Sequence, residues 1–226
     1  MADRTDGIET VAEAYLTLLK ARGIDWLFAN AGTDFAPIIE ALSRGAGAGL
    51  AMPEALAAPH ETVAVGMAHG YYLATGRPQA VMVHVNVGMA NALMGLLNAA
   101  REDVPILFTS GRTPITEAGR LGSRDLPIHW GQEMRDQGAM LREYVKWDYE
   151  LRFGEQVENI VDRALAIAMT PPRGPVYLSL PREALAAPFS DFRPSPTPRL
   201  SPAAPPAPAS AAIASARSTI ASTCSP

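Results

Sequence analysis

Glu61 and His84 are the two side chains whose settings suit acid–base chemistry. Glu61 heads the run HETVAVGMAHGYYLAT, where Val63, Ala64, Met67, Ala68 and Tyr71 lay an apolar helix surface beside the acid. One use for such a carboxylate is to stabilise the helix dipole from the first turn, by roughly 0.3–1 kcal/mol. The other is a carboxyl held out of bulk water, able to share a proton with a ligand nitrogen. Spacing alone favours the first use. His84 closes the apolar run AVMVH, and strand ends of a parallel sheet are where ligands gather. A lone histidine is more often a packed core residue. Here Asn86, Gly88 and Asn91 follow closely, so that edge carries several polar groups.

The elements that must position these groups are legible from periodicity. Helical spacing covers residues 8–22, 35–42, 61–75, 88–101 and 155–169. Apolar runs at 26–29, 80–85, 106–109 and 176–180 read as strands, with shorter candidates at 50–52 and 144–147. Asn30 to Asp34 forms a turn that offers Thr33 or Asp34 as a helix cap. Residues 53–59 read as a loop delivering Glu61. Residues 112–142 are polar and irregular, and a loop that long inside a domain is often functional. Strands that are apolar throughout and alternate with long helices predict an α/β fold. The expected form is doubly wound, a mostly parallel sheet of about six strands with helices on both faces.

Composition narrows the function classes. Nearly half of the 226 residues are apolar and the net charge is −4, so nothing draws the chain to nucleic acid or to an anionic membrane. Cys224 is the single cysteine, which allows no internal disulfide and fits a cytoplasmic setting. The polar start MADRTDGIET does not read as a secretory signal, and no apolar run is long enough to span a bilayer. The dinucleotide pattern G-x-G-x-x-G, the phosphate loop and the G-x-S-x-G elbow are all absent. Residues 193–226 are rich in Pro, Ala and Ser and lack Asp and Glu. The expected division is a domain over 1–192 followed by a linker over 193–226, with a weak helical pattern at 209–222.

The ordered set of motifs resembles thiamine diphosphate-dependent enzymes of the acetolactate synthase, pyruvate decarboxylase and benzoylformate decarboxylase group. It comprises Asn30 to Thr33, His60-Glu61, GMAHGYYLATGRP at 66–78, Gly88 with Asn91-Ala92, Asp103-Val104-Pro105-Ile106 leading to Ser110-Gly111, and Arg173 to Leu178. The resemblance covers roughly residues 8–185 and implies the family's pyrimidine-binding domain. It implies catalytic roles for Glu61 and His84, cofactor contacts for Glu61, Gly32, Thr33, Gly88 and Asn91, and no metal ligand among them. The acid at the Glu61 position would hydrogen-bond a ring nitrogen of the aminopyrimidine and so favour loss of the thiazolium proton. His84 followed by VNVG, and YVKWDYE at 144–150, are similar to the benzoylformate decarboxylase branch. Gln132-Glu133 with Gly138 is closer to acetolactate synthases, and Arg112 stands where many relatives have Gln.

The substrate implied is a 2-oxo acid, and the choice between decarboxylation and carboligation stays open, as does FAD. Magnesium and the diphosphate are held in the family by a Gly-Asp-Gly motif that this sequence does not contain. The partner expected is therefore another copy of the chain in a homo-oligomer, or a chain carrying the diphosphate-binding domain. On the same expectation the chain is incomplete, with residues 193–226 as the truncated start of a central domain, and is inactive alone. Two alternatives are a dedicated subunit of a split decarboxylase and a non-catalytic α/β module that self-associates through the helices near Glu61 and Gly88, which exposed Met67, Met89 and Met94 would support.

Overall fold

A computed structural model describes residues 7–190 and 192–204. The helical pattern expected at 209–222 and Cys224 lie outside the described residues. The sheet has six strands, all parallel, in the order β2-β1-β3-β4-β6-β5. They are β1 (Trp26–Asn30), β2 (Glu54–Ala57), β3 (Ala80–Val83), β4 (Leu107–Arg112), β5 (Asp148–Glu150) and β6 (Val176–Pro181). The helices are α1 (Val11–Ala21), α2 (Ala36–Ala48), α3 (Glu61–Thr75), α4 (Val85–Arg101), α5 (Pro127–Gln132), α6 (Val157–Met169) and α7 (Arg182–Ala186).

Alternation along each strand splits the core into two layers. Leu27, Met82, Leu107 and Leu178 pack against α1, α2, α6 and α7. Phe28, Val81, Val83, Phe108 and Tyr177 face the other way, onto α3 and α4. The doubly wound expectation therefore holds. From β1 the chain moves to β2 on one side and then crosses to β3 on the other. That reversal sets a crevice at the carboxyl ends of β1 and β3, the usual ligand position in such sheets.

Several local expectations are corrected. The edge strand is 54–57, not 50–52, because the Leu50 N–H closes the end of α2 by donating to the Gly45 carbonyl (2.9 Å). Glu54, Ala55 and Ala57 are exposed, as an edge strand tolerates. α2 runs on through Gly45 and Gly47 and stops only at Gly49, whose φ of 70° is left-handed. The strand near 144–147 lies at 148–150, because Tyr144 and Val145 turn back onto the Leu141 carbonyl. The irregular stretch 112–142 contains α5 and a 3-10 turn at Gly138–Met140. α4 begins at Val85, before Gly88, so His84 is its cap residue. Met89 is fully buried, which removes it from the apolar surface expected of a self-associating module, whereas Met94 is exposed.

The described end of the chain is strapped along α6. Arg22 forms a buried ion cluster with Asp162 (2.6 Å) and Glu158 (3.1 Å) and donates to the Ser195 carbonyl (2.8 Å). The Ser195 N–H donates to Glu158 (2.6 Å) and the Arg199 N–H to Asp162 (2.7 Å). Burial raises the Glu158 pKa, but the hydrogen bonds from Ser195 and Arg199 outweigh it and hold it below the ordinary 4.5. A depressed carboxyl contributes stability above its unfolded pKa and loses it as pH falls through the folded value. Protection factors at the Ser195 and Arg199 amides, taken relative to intrinsic exchange at each pH, should therefore fall as pH drops below 4.5, ahead of those of the sheet amides.

Candidate active site

The groups singled out from the sequence fall around the carboxyl ends of β1 and β3 and the starts of α3 and α4. Asn30, the last residue of β1, donates from its amide to the Ala58 carbonyl (2.9 Å), and the Ala58 N–H donates to the Ala29 carbonyl (2.8 Å). These bonds fix the loop that delivers His60 and Glu61. His60 caps α3, its Nδ1 accepting from the Thr62 N–H (3.2 Å).

Glu61 is 7% exposed at the first position of α3. The Asn91 amide donates to its Oε2 at 3.2 Å. Oε1 accepts no hydrogen bond from the described residues. The Thr62 hydroxyl donates to the Asn91 carbonyl (2.8 Å), a second tie between the helices. Close packing of α3 on α4 is permitted by Gly95, where a Cβ would stand 2.9 Å from Val65 Cγ1. Glu61 and Asn91 are thus brought together.

His84 stands at the head of α4, seven residues and therefore about 10 Å along the axis before Asn91. Gly32 lies against its ring, where a Cβ would fall 2.2 Å from Cγ and Nδ1. His84 Nδ1 is 2.6 Å from Asp34 Oδ1, and the Val85 N–H donates to Asp34 Oδ2 at 3.1 Å. On its other side His84 Nε2 is 3.4 Å from the Gln132 amide nitrogen of α5. Thr33 is exposed and accepts from Arg124 Nη1 (3.0 Å). Gly88 backs onto Val83, where a Cβ would come within 2.9 Å of the Val83 Cβ, so its visible use is to seat α4 on β3. Arg112, where relatives often carry Gln, is held by Glu133 (2.5 Å) and Glu150.

Sequence reasoning missed Asp34 as a partner of His84, seeing only a cap, and gave no role to Gly111 or Arg124. The Gly111 signal was a glycine inside a strand, which marks a close approach. A Cβ there would sit 2.0 Å from Asp34 Oδ2 and 2.4 Å from its Cβ. Gly111→Ala should therefore cost about 1–3 kcal/mol in urea unfolding. In an Asp34→Gly background the same change should cost markedly less, because the atoms it strikes are gone. Equal losses in the two backgrounds would remove Asp34 as the cause.

Among the described residues no three His, Cys, Asp or Glu side chains group as a metal site. No helix there is long and apolar enough to cross a membrane.

Residues 9–140 match the family model described as thiamine pyrophosphate enzyme, N-terminal TPP binding domain. The chain belongs to the thiamine pyrophosphate enzyme family and carries its N-terminal cofactor-binding domain. It is 30% identical over 181 residues to the benzoylformate decarboxylase of Pseudomonas aeruginosa, spanning 80% of this chain and 31% of that one. To the acetolactate synthase large subunit of Haemophilus influenzae it is 27% identical over 172 residues, 76% of this chain and 28% of that one. The crystal structure of benzoylformate decarboxylase from Polynucleobacter necessarius superposes with a TM-score of 0.69 at 25% identity, covering 83% of this chain and 33% of that one. The chain thus spans about a third of the length of these relatives.

Proposed function

We propose that this chain supplies the pyrimidine half of a thiamine diphosphate site in an enzyme acting on a 2-oxo acid, with residues 1–192 as the binding domain. The observation that carries the reading is Glu61: a carboxyl almost out of water, fixed at Oε2 by Asn91, with Oε1 left without a donor. Such an oxygen suits a ring nitrogen that shares a proton, and it fits the aminopyrimidine of the family's cofactor. When bound, that cofactor supplies the carbon nucleophile and electron sink for cleaving the bond beside the 2-oxo group. The chain's part is to hold and orient the ring through Glu61, Asn91 and the backbone near Gly32, and to move a proton at Glu61 and at His84 Nε2.

His84 favours a decarboxylase of the benzoylformate type, the activity named for two of the relatives. Arg124 suits the substrate's carboxylate. It has no acidic partner among the described residues, its Nε is dry and unpaired, and its Nη1 meets Thr33 beside His84. A half-buried guanidinium without a counter-charge is matched by an anion.

The reading places the diphosphate and magnesium on a second polypeptide segment packed across α3 and α4. Val63, Leu73, Val87 and Met94 are exposed there, and Gly66 and Gly70 leave the outer face of α3 flat. Apolar surface of that kind marks an interface. The cytoplasm is the compartment this reading assumes, from the lone cysteine.

Calorimetry tests the proposal. Thiamine diphosphate with magnesium is titrated into the chain alone, and again after adding a polypeptide that carries a family diphosphate-binding domain. Heat of binding that appears in the mixture and is lost with Glu61→Ala is the expected result. Binding that ignores Glu61, or no binding in either setting, overturns it.

A further inference from the structure

We infer that Asp34 is a positioning residue that holds His84 in its Nδ1–H tautomer, leaving the Nε2 lone pair as the atom at which a proton is taken up or given back. The inference rests on the reading of His84 as a proton-handling group, and it adds the residue that sets its chemical state.

Asp34 is 2% exposed, and both its oxygens are used by consecutive residues of the β3–α4 junction. An ionised carboxylate only accepts. With Oδ2 taking the Val85 N–H, Oδ1 at 2.6 Å requires a hydrogen on His84 Nδ1. The neutral ring then has its lone pair on Nε2, the side that faces the Gln132 amide. A donor opposite an acceptor is the complementary arrangement.

Three features show that the pair is built into the fold. Gly32 makes room for the imidazole and Gly111 for the carboxylate, each at a place where any Cβ would collide. Val85, a β-branched residue, sits at φ 32°, a left-handed conformation that such side chains rarely adopt. Its N–H is anchored by Asp34, so one carboxylate restrains both the strained backbone and the ring. A capping role alone explains the Val85 bond but not the shorter one to Nδ1. If a proton reaches Nε2, the imidazolium keeps its Nδ1–H on Asp34.

The variant Asp34→Asn separates positioning from simple capping. Its side-chain amide would offer one acceptor oxygen to two donors. With that oxygen on the Val85 N–H, the NH2 faces Nδ1, and the ring must move its hydrogen to Nε2. The same conflict is the reason an asparagine in a serine-protease triad traps the wrong tautomer.

The experiment is long-range 1H–15N correlation on the 15N-labelled chain without cofactor, at a pH above the ring's titration, with His84 assigned by His84→Gln. Expected is the Nδ1–H pattern in the wild type, the form free histidine disfavours, and the Nε2–H pattern in Asp34→Asn. An Nε2–H ring in the wild type overturns the proposal, and that spectrum decides alone should Asp34→Asn not fold. An Nδ1–H ring retained in a folded Asp34→Asn chain also overturns it. In the reconstituted enzyme Asp34→Asn should lower kcat about 10²-fold with KM nearly unchanged. If the cofactor reading fails instead, binding becomes indifferent to Glu61 while the tautomers stay as stated, so the two failures are distinguishable.

Discussion

Glu61→Gln should lower turnover of an enzyme assembled with this chain by about 10²–10⁴-fold, the range for loss of a positioned acid–base group. The substitution keeps the shape of the side chain. The amide oxygen still accepts from Asn91, as Oε2 does now at 3.2 Å. What changes is the free end: an NH2 donor replaces an oxygen that could share a proton with a ring nitrogen. Steady-state kinetics with a 2-oxo acid should therefore show kcat collapsing while thiamine diphosphate affinity moves by much less. The competing explanation, a first-turn acid serving only the helix dipole, allows a stability loss of at most about 1 kcal/mol and no kinetic effect. Full activity in Glu61→Gln would take this residue out of the mechanism.

Arg22→Ala should destabilise the domain by about 3–5 kcal/mol, the usual consequence of removing one partner from a buried ion cluster. The Arg22, Glu158 and Asp162 side chains are 2%, 5% and 0% exposed. Without the guanidinium, two buried carboxylates face each other, and the exposed Arg199 compensates Glu158 alone. The Ser195 carbonyl also loses its donor, so the strap loosens together with the cluster. Urea unfolding followed by circular dichroism measures the loss. Acidification should narrow the gap between variant and wild type, because protonation relieves the stranded carboxylates. Replacing all three residues by apolar ones of similar volume should restore much of the stability. A loss under about 1 kcal/mol would mean that water has entered the cluster.

The sequence carried the fold well because its strongest signals were redundant. Residues 61–75 and 155–169 combine helical spacing with clear stops, and β3 and the first residues of β4 and β6 form unbroken apolar runs. Short edge strands carry no such signal. β2 pairs along one side only and exposes Glu54, Ala55 and Ala57, so the more apolar Leu50-Ala51-Met52 was the better-looking strand. β5 is three half-buried residues, and its neighbours Val145 and Trp147 are more apolar than it is. At the site, Glu61, His84 and Asn91 were readable because each lies at the head of a periodic element or on one. Asp34 was not, because its partner lies 50 residues away and a local cap explains an aspartate in that turn equally well. Arg124 and Gln132 come from the stretch 112–142, where no periodicity says which way a side chain faces.

The bonds that define the site all span long stretches of chain. Asn91 reaches Glu61 across 30 residues, Gln132 reaches His84 across 48, and Val85 reaches Asp34 across 51. Closing loops of that size is slow compared with forming α3 or α4 locally. During refolding, helical signal can therefore recover before any binding competence exists. Competence arrives only once β1, β3 and β4 have found their register and pressed Gly32 and Gly111 against the His84–Asp34 pair. For this chain, ligand binding would report on completed sheet order rather than on the amount of helix.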